Sequence, residues 1–149
     1  MSSQIPPGIE TFPLGLQRYY LEAGEIAVIV GTGGMSREAI DEWADAMIDV
    51  IHTRAAAGKP AFVLSDTSAK EQGFSNYART RVNSINESIP PGMAVYTAML
   101  FPSSVISQFI TLFVGNLMRM TSKDLHTRMF NDRDEALAWL NAMRARREE

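Results

Sequence analysis

The stretch Glu25-Ile26-Ala27-Val28-Ile29-Val30-Gly31-Thr32-Gly33-Gly34-Met35-Ser36 decides the fold class. Ile26 to Val30 is apolar at every position, the pattern of a strand covered on both faces. Glycines then break the strand. Ser36 stands as an N-cap, and Glu38 suits the positive end of the helix that follows. Ile40, Trp43, Ala44, Met47 and Ile51 recur in steps of three and four, one apolar helical stripe ended by Gly58 and Pro60. The glycine-rich break sits where a phosphate loop would sit. However, Ser36 occupies the third glycine position of the dinucleotide pattern, and no Gly-Lys-Ser/Thr is present, so the break reads as a capped strand-to-helix turn.

Upstream, Leu16–Glu22 and Glu25–Val30 flank Ala23-Gly24 and predict an antiparallel hairpin in which Gly24 supplies a positive φ. Residues 1–15, with Pro6, Pro7, Gly8, Pro13 and Gly15, predict an irregular lead-in. Downstream, Ala61–Leu64 predicts a buried strand ending at Ser65-Asp66, and Ser75–Ile89 a helix with Ala78, Val82, Ile85 and Ile89 inward. Met93–Leu100 predicts a strand, 105–120 a helix and Leu125–Phe130 a last strand. Asp132-Arg133-Asp134-Glu135 has capping-box spacing and opens a helix carrying Leu137, Leu140 and Met143. Helices between successive later strands imply parallel crossovers. The expected architecture is one α/β domain over 16–149. Its mixed sheet has about five strands, opens with an antiparallel hairpin and is covered by helices. Val28, Ile29, Phe62, Leu64, Val95 and Leu137 are expected in the core.

The chain's 149 residues suit one domain. Fourteen Lys and Arg against 17 Asp and Glu leave a net charge of −3, so nothing in the charge draws it to phosphate backbones, and no nucleic-acid partner is expected. With no cysteine, disulfides, thiolate nucleophiles and Cys-based zinc sites are excluded. The first residues lack the basic and apolar regions of a signal peptide, and no apolar run reaches the roughly 20 residues of a membrane span. A cytoplasmic location is the expectation.

The run Arg128-Met129-Phe130-Asn131-Asp132-Arg133-Asp134-Glu135-Ala136-Leu137-Ala138-Trp139-Leu140, after a hairpin and alternating helices and strands, resembles the ending of the SpoIIAA-like, or STAS-like, bacterial proteins. The tight match covers about thirteen residues and extends loosely over 16–146. The resemblance implies a small cytoplasmic α/β domain, usually without demonstrated catalysis, akin to anti-sigma factor antagonists, transporter-associated STAS domains and lipid-binding relatives. STAS antagonists carry a phosphorylatable Ser after a strand, in an Asp-Ser-Ser-Gly context. Here Asp66 matches the acidic position and Thr67 and Ser68 the hydroxyl positions, while Ala69 replaces the glycine. Asp66, Thr67 and Ser68 are therefore the candidate switch or ligand loop.

No catalytic set can be named from the sequence, and no metal or cofactor is expected. His52 and His126 lack partners at metal-ligand spacing, and a Ser68–His126–Asp66 triad exists only on paper. Asp41, Asp45 and Asp49, four apart, predict a solvated helix face. Arg144, Arg146 and Arg147 complement the dipole at the end of the last helix. Trp43, Tyr96 and Trp139 read as packing residues. In the run 105–120, Ile106, Phe109, Ile110, Leu112, Phe113 and Leu117 cover more than one helical face, so a homodimer interface or an apolar ligand pocket is expected there. The expected function is a non-enzymatic regulatory or protein-interaction module. The alternative is a carrier or sensor of an apolar, lipid-like small molecule.

Overall fold

Where Ala23-Gly24 interrupts the two β-rich runs, the chain turns within three residues, and the Gly24 N–H donates to the Leu21 carbonyl over 3.1 Å. In the computed structural model, which describes residues 8–31, 36–66, 76–101 and 124–147, Glu22 (φ 54°) and Ala23 (φ 56°) join Gly24 (φ 89°) in the left-handed region. Such turns match the right-handed twist of the strands they join. They bring β2 (Gln17–Leu21) antiparallel to β3 (Ile26–Val30), with Tyr19 opposite Val28.

The helix expected at 105–120 lies outside the described residues, and the remaining described elements follow the expected order. They are α1 (Arg37–Ala56), β4 (Ala61–Asp66), α2 (Asn76–Ser88), β5 (Ala94–Leu100), β6 (Asp124–Phe130) and α3 (Arg133–Arg147). Among the described residues the sheet has six strands, in the order β1 (Glu10–Thr11), β2, β3, β4, β5, β6, with β3 through β6 parallel. The sixth strand is β1 (Glu10–Thr11), inside the segment expected to be irregular. A tight turn folds it back, with the Phe12 N–H on the Leu16 carbonyl at 2.8 Å, so that Glu10 pairs with Arg18.

The runs of β3, β4 and β5 are largely apolar because both faces are buried. On one face Ala27, Ile29, Val63, Val95 and Met99 pack against α1 and α2, together with Leu16 and the half-buried Phe12. On the other, Ile26, Val28, Phe62, Leu64, Tyr96 and Leu100 pack against Ala136 and Leu140 of α3. Leu137, expected in the core, is only half-buried. Ala136 and Leu140, four apart, take the inward line and leave Leu137 on its flank. Val28, Ile29, Phe62, Leu64 and Val95 are buried as expected.

Capping follows the sequence. Ser36 Oγ accepts from the Ala39 N–H at 3.1 Å, and Asp132 accepts from the Glu135 N–H at 2.9 Å. Helix α1 ends at its C-cap Ala57, followed by Gly58 at φ 69°.

The aspartate line of α1 is exposed to solvent, as expected, and each member also has a partner. Asp41 accepts from the Tyr77 hydroxyl and faces Arg81 at 3.3 Å; Asp45 binds Arg81 at 2.7 Å and Asp49 binds Arg18 at 2.7 Å. The bond to Asp41 is the main cause that pushes the Tyr77 hydroxyl's pKa up. Arg18 is buried and saturated: Nε and Nη2 meet Glu10, Nη1 donates to the Ala46 carbonyl, and its guanidinium lies 5.3 Å from the Phe12 ring. Burial pulls the Arg18 pKa down, but Glu10, Tyr20 and Asp49 outweigh it and hold it above the usual value. The stripe thus ties α1 to α2 and to the lead-in strands.

Candidate functional site

The parallel strands end together on one rim. The Gly31 N–H donates to the Asp66 carbonyl at 2.9 Å, and the Phe101 N–H to the Phe130 carbonyl at 3.0 Å. Open α/β sheets place sites at this carboxyl end. Asp66, the last residue of β4, has a side chain only 16% exposed and faces Arg133 at 3.8 Å. Arg133 is the first residue of α3, held there by the Asp132 cap, and it also donates to the Tyr19 hydroxyl at 2.5 Å. One residue below the rim, Ser65 is fully buried and its Oγ accepts from Trp43 Nε1 at 2.9 Å, which locks α1 against β4.

The rim therefore joins Asp66 to Arg133 and Tyr19. The last two escaped the sequence reading because nothing local links position 19 to position 133. The only signal was Arg133's place in the first turn of a capped helix. Thr67 and Ser68, the other members of the candidate loop, lie outside the described residues, as do Ile106, Phe109, Ile110, Leu112, Phe113 and Leu117.

The paper triad is separated by the sheet. Asp66 is level with Leu100 and Phe130, whereas His126 is level with Tyr96. Four residues of strand are about 13 Å, before the two strand spacings are added. His126 stacks on Tyr96 with centroids 4.6 Å apart and pairs with Asp124. His52 is exposed on α1, 3.2 Å from the Ser88 carbonyl. Among the described residues no group of three or more His, Asp or Glu side chains could hold a metal ion. None of the described helices is long and apolar enough to cross a membrane.

Trp43 and Tyr96 are core residues, but Trp139 is half-buried beside the sheet. It stands 5.9 Å from Phe130, ring to ring, in a groove of about 570 Å³ between β6 and α3 that Arg128, Asn131 and Glu135 also line. A smaller hollow of about 270 Å³ lies at the amino ends of β4 and β5, lined by Lys59, Pro60, Pro90, Pro91 and Arg147. Three arginines pin α3 to the strands and their hairpin turn: Arg133 at the rim, Arg144 to Glu22 at 3.6 Å and Arg147 to Asp124 at 3.1 Å. Comparison of the chain with protein-family models, curated proteins and solved structures finds no match in any of the three.

Proposed function

We propose that this chain is a non-enzymatic, STAS-like regulatory module that binds a protein partner through the carboxyl rim of its sheet. The observation that carries the reading is the ion pair between Asp66 and Arg133. It joins the two separate pieces of sequence on which the resemblance rests, the acidic strand end before Thr67-Ser68 and the capped closing helix. The rim carries a carboxylate, a guanidinium and a phenol, a set suited to recognition through charge and hydrogen bonds. A phosphoryl group on Thr67 or Ser68 adds about 1.5–2 negative charges next to Asp66 and competes for Arg133, which changes what the rim can bind.

The test is affinity capture from the source cell with wild type, a Thr67→Ala/Ser68→Ala variant and a Thr67→Glu/Ser68→Glu variant. A protein held by one charge state and released by the other supports the proposal, and Arg133→Ala abolishes that difference. Identical capture by all forms overturns the switch. An apolar small molecule seen by native mass spectrometry, with no protein partner, replaces the module with the carrier.

A further inference from the structure

The end strand β6 is built unlike its neighbour. Every residue of β5 is buried, whereas in β6 only Phe130 is, and the six before it alternate between exposed and half-buried. Among the described residues β6 is the last strand of the sheet, so its outer row of backbone groups has no strand beside it. Edges of this kind are commonly blunted by proline, a bulge or charges. β6 has no proline, and its register against β5 runs unbroken from Asp124 to Phe130. Its charges are of opposite sign. Asp124 and Arg128 lie four residues apart on the face that carries α3, with His126 midway. Arg128 lies 5.5 Å from the Phe130 ring and makes no ion pair with the described residues.

We propose that two copies of this chain pair antiparallel along β6, about a two-fold axis at His126, into one continuous sheet. In this register each Asp124 stands opposite the other copy's Arg128. Neighbouring registers lose that match. Centring on Thr127 sets His126 against Arg128, and centring on Leu125 leaves Arg128 without an acid. Centring on Asp124 or Arg128 sets like charges face to face. The groove beside the edge is self-complementary in the same sense. It holds Arg128 and Glu135, and the second copy brings Asp124 with the Arg147 bonded to it at 3.1 Å. Arg128 then takes Asp124, Glu135 takes Arg147, and the half-buried Trp139 is covered. Such reciprocity is what an isologous interface requires.

Light scattering and single-cysteine crosslinking test the pairing. The wild type should have twice the 16.5 kDa chain mass. Arg128→Asp alone and Asp124→Arg alone should each weaken dimerisation by at least about tenfold. Mixed one to one, they should form a heterodimer, because the reversed charges again match. The chain has no cysteine, so His126→Cys introduces the only thiol. Residues directly opposite in an antiparallel pair have Cα atoms about 4.5–5.5 Å apart, within disulfide reach. Mild oxidation should link the His126→Cys copies but not those of His52→Cys, placed on exposed α1. A wild-type monomer, a dimer indifferent to Arg128→Asp, variants that stay apart when mixed, or no crosslink at position 126 each overturns the proposal. If a charge variant fails to fold by circular dichroism, the crosslink decides.

Discussion

Replacing Ser65 with alanine should loosen α1 from the strand that carries Asp66. Ser65 is fully buried, and its Oγ accepts the Trp43 indole N–H at 2.9 Å. Alanine fits the space but removes the acceptor, leaving an N–H on a side chain that is only 8% exposed. An orphaned buried donor costs about 1–3 kcal/mol. For 149 residues the unfolding entropy is about 0.3 kcal/mol/K, so the melting temperature should fall by about 3–10 °C. Trp43→Phe removes the donor and part of the ring, and costs about 1 kcal/mol or more through the cavity. Once the donor is gone, losing the acceptor matters little. The double variant should therefore be about 1–2 kcal/mol more stable than the sum of the single losses predicts. Urea unfolding followed by circular dichroism measures all four corners of the cycle. A Ser65→Ala loss below about 0.5 kcal/mol, or the same loss with and without Trp43, would refute the reasoning.

Glu25 gives a pH test. The Arg54 hydrogen bond holds its carboxyl below the usual carboxylate value of 4.5, outweighing burial. The pair's contribution is full above that value and disappears as the pH falls through the depressed folded-state value. Glu25→Gln should thus cost up to about 1 kcal/mol near neutrality, and the gap from wild type should close in acid; a gap constant with pH counts against the pairing. Ala23 sits at φ 56°, where non-glycine residues pay about 1–2 kcal/mol. Ala23→Gly should raise the melting temperature by about 3 °C, and a drop would mean that the turn is not strained.

What the sequence showed and what it hid divide along the range of the interactions. The all-apolar run Ile26–Val30, the stripe of α1 and the caps at Ser36 and Asp132 are local signals, and each forms the element it predicts. β1 was hidden because two residues carry no period, and only Arg18 reaching Glu10 reveals it. The aspartate line was read as a solvated face, and it is exposed, but its ion pairs were hidden because the cations come from 31 and 36 residues away in sequence, Arg18 for Asp49 and Arg81 for Asp45. The rim was half legible. Asp66 follows from its place after a buried strand, whereas Tyr19 and Arg133 meet across 114 residues of chain. The switch hydroxyls and the apolar run 105–120 fall outside the described residues.

The position of α3 also bears on how the molecule is made. Among the described residues it is the only helix on its face of the sheet, and it follows every strand in sequence. During vectorial synthesis the hairpin, α1, β4 and α2 emerge first and can close one side of the sheet. Among the described elements, nothing covers Ile26, Val28, Phe62 and Leu64 on the opposite side until residues 133–147 arrive. Sheet surfaces exposed in this way are where nascent chains aggregate or engage chaperones. A ribosome stalled before position 133 would therefore hold a half-covered, sticky sheet. Addition of the fifteen residues of α3 would turn that intermediate into a protein resistant to proteolysis.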